Sequence, residues 1–343
     1  MRTNFTKLFT KSTLTPALLS SAYVMLGRVK DLLERFKKRD ERALARAISL
    51  VEGGSSEAKQ LLHELRSNTS KSHIKSHVIG ITGSPGSGKS TLTDSLIGSA
   101  RERNQTVAVL AVDPSSPYTG GAILGDRIRM VRWHEDKDVY IRSMATRGHL
   151  GGLAAATLQV LVLLEAYGFD AIFIETVGVG QSEVDIVNVA DTTLLVLTPG
   201  QGDAVQAFKA GIMEIADIFV INKADLAGSA RLKREVQAML EIGGSQKDGW
   251  KLPILETVAS KSEGVKTLFE ALGSHRSHLT DKNRFPDLRK KRARFEIAAT
   301  LSEQLRLSLA KKEDAFIEQV LAGKLTESEA IKALLFTISD DIE

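Results

Sequence analysis

The chain contains no cysteine. Disulfides, thiolate metal sites, iron–sulfur clusters and cysteine nucleophiles are therefore excluded together. Aromatic residues make up only 5% and prolines number seven, against 43% hydrophobic and 26% charged residues. That balance belongs to an ordinary globular protein, not a disordered one. Long apolar runs are missing as well. None approaches the ~18 residues of a membrane span, so no membrane partner is expected. A large charge excess is also lacking: 46 basic and 42 acidic side chains leave +4. This is too little to point to nucleic acid, although it admits an anionic ligand. With 343 residues, the prior is about two domains, and the core can be large enough to hold without a metal or disulfide. No internal repeat or low-complexity tract is visible.

Acidic residues are absent from Met1–Lys30, where Arg2, Lys7, Lys11 and Arg28 lie among Ser and Thr. This composition suits either an N-terminal tail or an organellar transit peptide over residues 1–28. The first reading places the protein in the cytoplasm, the second in the mitochondrial matrix. Residues 29–72 carry helical patterns: Leu44, Ala47, Ile48 and Val51 share one stripe, and Ala58, Leu61, Leu62 and Leu65 another. Residues 73–274 alternate short β-branched runs with helix-length segments. The runs are Val78–Thr82, Thr106–Asp113, Asp138–Met144, Ala171–Val177, Thr192–Leu197, Ile218–Asn222 and Ile254–Val258. Several are apolar almost throughout, as in strands buried on both faces of a parallel sheet. Helices are expected around Ser90–Arg103, Gly152–Tyr167, Asp203–Ile215, Ala230–Glu241 and Val265–Leu272. The expected fold class is α/β, a doubly wound, mostly parallel sheet. Residues 275–343 read as a helical extension, with Thr326 and Glu329 forming a capping box.

The strongest motif is G-x-x-x-x-G-K-S, made by Gly83, Ser84, Pro85, Gly86, Ser87, Gly88, Lys89 and Ser90, with Thr91 following. It lies between a predicted strand and a predicted helix, the context in which backbone N–H groups cradle a phosphate. Lys89 can reach the β- and γ-phosphates, and the Ser90 hydroxyl can ligate Mg²⁺. This chain is expected to bind a nucleoside triphosphate. Asn222-Lys223-Ala224-Asp225 ends a later apolar run, about 140 residues downstream. Guanine offers N1–H and N2–H₂ on one edge, and the Asp225 carboxylate can accept from both. Adenine presents an unprotonated N1 there, and a site built for donors rejects it by on the order of 10⁴-fold. The stem of Lys223 can cover the base, and Val258-Ala259-Ser260 resembles the place where GTPases add a backbone contact to guanine, a role the resemblance gives to Ala259. GTP or GDP is therefore the expected ligand.

Glu175-Thr-Val-Gly178 ends another run and resembles the D-x-x-G element of GTPases with Glu for Asp. A carboxylate there can hold Mg²⁺, and the Gly178 N–H can sense the γ-phosphate. No residue is identified as positioning the attacking water. Asp113 ends the second run, and the Gly-rich stretch beyond it suits a loop that orders around Mg²⁺ and phosphate. Asp126 can act on the metal or the water, and Arg127 or Arg129 can support charge in the transition state. Lys89, Asp113, Asp126 and Glu175 are the candidate catalytic residues. Ser90, Asp113, Asp126 and Glu175 are the candidate metal ligands.

Four strings extend the likeness: V-D-P-S-S-P-x-T-G-G-A-I-L-G-D-R-I-R-M from Val112, R-S-M-A-T-R-G-H-L-G-G from Arg142, E-T-V-G-V-G-Q-S-E from Glu175 and G-I-M-E-I-A-D from Gly211. Through them the sequence resembles the MeaB/ArgK family of P-loop GTPases from about Val29 to the C-terminus. The resemblance implies a GTPase chaperone for an adenosylcobalamin-dependent acyl-CoA mutase, usually methylmalonyl-CoA mutase, that gates cofactor loading and protects or rescues the enzyme. It also implies a homodimer formed through the helical tail. Relatives carry an older label of lysine/arginine/ornithine transport ATPase or kinase. The competing functions are thus such an ATPase, which Asn222–Asp225 argues against, and a metal-insertion GTPase, which zero Cys and seven dispersed His argue against. His73 and His77 enter a strand and read as structural, and Arg289–Arg294 reads as a solvated helix face. Gly200–Asp203, with Gln206 and Lys209 beyond, is a candidate further switch that reports nucleotide state to the partner.

Overall fold

The computed structural model describes residues 16–69, 75–113, 130–145, 153–176, 182–200, 212–244, 246–309 and 313–342. They group into two compact units, one of Met1–Ile74 with Gln159–Gly168, the other of Lys75–Leu158 with Phe169–Glu343.

The first unit holds α1 (Pro16–Lys37), α2 (Glu41–Glu52) and α3 (Ser56–Thr69). Helix α1 begins within the stretch read as a tail, on a proline whose fixed φ suits the first helical turn. Asp40 caps α2 by accepting from the Arg42 N–H at 2.9 Å and the Ala43 N–H at 3.4 Å. Arg35, at the end of α1, pairs with the same carboxylate at 2.9 Å and holds it below its ordinary pKa. Both predicted stripes are buried, and Phe36 meets the edge of Tyr167 at 5.3 Å.

The second unit is built on a parallel sheet of seven strands in the order β3-β2-β4-β1-β5-β6-β9. The strands are β1 (His77–Thr82), β2 (Val107–Asp113), β3 (Val139–Ala145), β4 (Ala171–Thr176), β5 (Thr192–Leu197), β6 (Ile218–Asn222) and β9 (Ile254–Thr257). Each lies within a residue or two of its predicted run. Strands β1, β4, β5 and β6 are buried at every position. The period of two shares β5 between both faces of the sheet. Leu194 and Val196 join the core beneath α4 (Lys89–Arg101) and α7 (Val265–Asp281), with Leu92, Leu96 and Leu268. Leu195 and Leu197 join the core beneath α6 (Ser229–Gly243), with Leu232 and Val236. Helix α5 spans Ala155–Tyr167, and from Gln159 onward it is counted with the first unit. A two-stranded hairpin, β7 (Gln246–Lys247) and β8 (Trp250–Lys251), precedes β9.

Beyond the sheet run α8 (Phe285–Leu309), α9 (Glu313–Leu321) and α10 (Glu327–Ile342). The capping box forms: Thr326 Oγ1 donates to Glu329 Oε2 at 2.7 Å and accepts from the Glu329 N–H at 3.3 Å. Of the predicted helix Asp203–Ile215 the described part, Ile212–Ile215, is a single 3-10 turn. No helix among the described residues is long and apolar enough to cross a membrane.

At the amino end of the sheet Thr192 Oγ1 lies 2.7 Å from His77 Nε2 and 2.8 Å from His275 Nδ1. Burial pushes the His77 pKa down to about 3 and lowers that of His275. The unfolded chain takes up a proton at each imidazole near pH 6.5, and the fold resists it. Stability is therefore fully present above about pH 6.5 and is lost as pH falls toward 3, by up to ~1.4 kcal/mol per pH unit for the His77 proton. Urea midpoints between pH 6.5 and 4.5 should fall more steeply for wild type than for His77→Gln; parallel slopes would contradict this origin.

Candidate functional site

The described candidates lie at the carboxyl ends of β1, β2, β4, β6 and β9. Strand β1 ends at Thr82, and the chain turns through Gly83–Gly88 into α4. Two glycines are required there by contact. A Cβ on Gly83 (φ +141°) would lie 2.1 Å from the Val196 carbonyl oxygen, and one on Gly88 (φ +87°) would lie 2.4 Å from Asn222 Nδ2. The loop is thus pressed against β5 and the end of β6. Lys89, only 6% exposed, folds its ammonium back over the loop and donates to the carbonyls of Gly83 at 2.5 Å and Ser84 at 3.1 Å. Pro85, Gly86 and Thr91 are exposed.

Asn222 fastens this loop to the base-reading loops. Its Nδ2 donates to the Ser87 carbonyl at 2.9 Å, and its Oδ1 accepts from Thr257 Oγ1 at 3.1 Å and from the Ala259 N–H at 3.2 Å. Beside it Lys223 adopts a left-handed backbone, φ +56°, and its ammonium donates to the Gly86 carbonyl at 2.8 Å. Asp225 is half-exposed and pairs with Lys261 at 3.3 Å. Ser95 Oγ donates to the Ala259 carbonyl at 2.8 Å, pinning that loop to α4.

Ser90 Oγ donates to Glu175 Oε1 at 2.5 Å. The other carboxylate oxygen lies 3.1 Å from Thr93 Oγ1, which also contacts the Lys89 carbonyl at 2.9 Å. Glu175 is 1% exposed, so its carboxylate meets the first turn of α4 in a buried position. A hydroxyl beside a carboxylate is the hard-oxygen donor chemistry that Mg²⁺ takes. Asp113 ends β2 opposite Ala145; its side chain, and the whole of Asp126, Gly178, Gln206 and Lys209, lie outside the described residues.

Thr93 and Lys261 were not singled out by the sequence. Thr93 sits three residues after Ser90, hence on the same helix face. Lys261 closes the helical turn Ala259–Lys261, directly after Val258-Ala259-Ser260.

A parallel sheet whose strand ends bring a phosphate loop, a buried carboxylate and an N-K-x-D loop together defines a P-loop GTPase. Among solved structures, a LAO/AO transport system kinase shares the fold, with a TM-score of 0.66, 24% identity and coverage of 96% of this chain and 100% of that one. The family model for the methylmalonyl-CoA mutase-associated GTPase MeaB matches residues 44–314, and the chain belongs to this family. A protein of Pyrococcus horikoshii that bears a GTPase name is 48% identical over 313 residues, 90% of this chain and 97% of its own. The GTPase ArgK of Escherichia coli is 33% identical over 264 residues, 76% of this chain and 80% of its own. The mitochondrial methylmalonic aciduria type A homolog of Mus musculus is 35% identical over 245 residues, 67% of this chain and 58% of its own.

Proposed function

We propose that this GTPase is a chaperone that binds an adenosylcobalamin-dependent acyl-CoA mutase, methylmalonyl-CoA mutase by preference, and gates its cofactor loading, protection or reactivation. The family match over residues 44–314 carries this reading. In it, the loop Gly83–Ser90 with Thr91 wraps the phosphates, and the Lys89 ammonium reaches the β- and γ-phosphate oxygens. Ser90 and Glu175, with Asp113 and Asp126, would hold Mg²⁺, and the ion would neutralise charge on the transferring phosphoryl group. Gly178 senses the γ-phosphate. Asp225 reads guanine, Lys223 and Ala259 flank it, and Asn222 keeps base and phosphate loops in one register.

Residues 73–274 serve as the GTPase domain and 29–72 as a helical prefix. Residues 275–343 serve as a homodimerisation extension. Exposed apolar side chains support that last role: Ile297, Leu301, Ile317, Leu321, Ile331 and Phe336 on α8–α10 are each 49–83% exposed, a pattern expected of a protein interface. The cytoplasm is the proposed location, or the mitochondrial matrix if residues 1–28 are a transit peptide.

The test is nucleotide-dependent affinity. Purified mutase should bind the chain loaded with a non-hydrolysable GTP analogue at least about 5-fold differently from the GDP form, the lower bound of a useful coupling free energy. No binding in either state would overturn the reading.

A further inference from the structure

A second polar cavity opens at the opposite end of the sheet, about one strand length, ~17 Å, from the phosphate loop. Its volume is about 180 Å³, and it lies between the amino ends of β5 and β6, the β7–β8 hairpin, α7 and α8. Its charges are uneven in arrangement. Asp191 pairs with Arg292 at 2.9 Å and Asp248 with Arg284 at 2.8 Å. Asp217 pairs with Lys247 at 2.8 Å and accepts from the Thr193 N–H at 2.8 Å. Lys291 lines the same cavity, and its hydrogen bond is to the neutral Val187 carbonyl at 3.0 Å. Burial, and then the charge of Lys247, hold Lys291 below its ordinary pKa.

His278 adds an independent observation. Its Nε2 is buried in the wall and has no hydrogen-bond partner, a state that a ring nitrogen normally avoids. Leu279 and Leu288 supply apolar wall between these polar groups. The cavity shares Asp287 and Lys291 with an outer groove of about 530 Å³, where Lys290 and Arg294 add two further cations. Across both, six cations including Arg292 stand against four carboxylates.

We propose that this cavity is a second ligand site that takes a short-chain carboxylate, its head group between Lys291 and His278 and its tail against Leu279 and Leu288. A carboxylate accepts from the Lys291 ammonium, whose hydrogen bond is otherwise to a neutral carbonyl, and from the imidazole Nε2–H. The four neighbouring carboxylates disfavour a dianion such as phosphate in the same place. Volume agrees: at ~30 Å³ per water in the liquid, the cavity matches about six waters, room for four or five carbons.

Trp250 reports on occupancy. Its ring lies 4.8 Å from that of His275 and 5.6 Å from that of His278, and the chain has one other tryptophan, Trp133. In a Trp133→Phe background, the full-length chain with GDP bound is titrated with sodium butyrate, with sodium chloride at matched ionic strength as the blank. A saturable change in Trp250 emission is expected. Lys291→Met should weaken it by about 10-fold or more, as loss of a charge-assisted hydrogen bond requires, without altering GDP affinity. His278→Phe keeps a ring beside Trp250 and should weaken butyrate several-fold, a second test if Lys291→Met does not fold. No saturable change with butyrate, an unchanged response in both variants, or a response to inorganic phosphate in place of butyrate would each overturn the proposal.

Discussion

Lys89→Ala should lower GTP turnover by at least about 10²-fold, the order of effect seen when one preorganised group is removed from a developing charge. The ammonium donates to the Gly83 and Ser84 carbonyls, and Lys89 is almost fully buried. Those bonds place the cation at the centre of the loop, where phosphate oxygens would meet it. Alanine removes the charge and leaves both carbonyls without that donor, so binding weakens along with the chemistry. Lys89→Arg should not restore turnover, because a planar guanidinium cannot occupy the place of a compact ammonium. Single-turnover hydrolysis with purified variants measures this directly. Activity above about a tenth of wild type in Lys89→Ala would remove Lys89 from its assigned role.

Asp225→Asn should move base preference from guanine toward xanthine. The carboxylate can accept from guanine N1–H and N2–H₂ together; an amide accepts from N1–H but turns its NH₂ toward N2–H₂. Xanthine carries a carbonyl at that carbon, which accepts from the new amide. Hydrogen bonds to a charged group are worth about 1.5–3 kcal/mol each, so GTP affinity should fall by roughly 10²-fold while XTP affinity rises. Lys261 pairs with Asp225, and guanine on the same carboxylate competes for part of that contact. This ion pair is half-exposed and worth little by itself, so Lys261→Ala should change GTP affinity far less than Asp225→Asn does. Competition of GTP, XTP and ATP against a fluorescent guanine nucleotide separates these outcomes, and unchanged selectivity in Asp225→Asn would contradict the assignment.

The sheet was readable because its strands are buried on both faces. Runs such as Ile218–Asn222 have no polar alternation, which is the signature of a parallel sheet with helices on each side. The hairpin at Gln246–Lys247 and Trp250–Lys251 was not readable: two-residue strands carry no period. The motif spacings located the loops but not what joins them. The bond from Asn222 to the Ser87 carbonyl crosses 135 residues of sequence, and it exists only because β1, β5 and β6 are neighbours in the sheet. Thr93 escaped notice because a threonine inside a helix is an ordinary residue until Glu175 is placed beside it. The amino-end cavity was equally silent. Its groups come from four separate segments, and the basic run containing Lys291 read as a solvated helix face.

Nucleotide hydrolysis by this chain is proposed to serve a partner enzyme. The measurement that tests it is steady-state GTP turnover by the full-length chain, alone and with saturating methylmalonyl-CoA mutase from the same organism. Slow basal turnover that the mutase accelerates is the predicted result, with Lys209→Ala reducing the acceleration if the segment after Gly200 carries the signal. Turnover that is the same with and without the mutase would contradict the account.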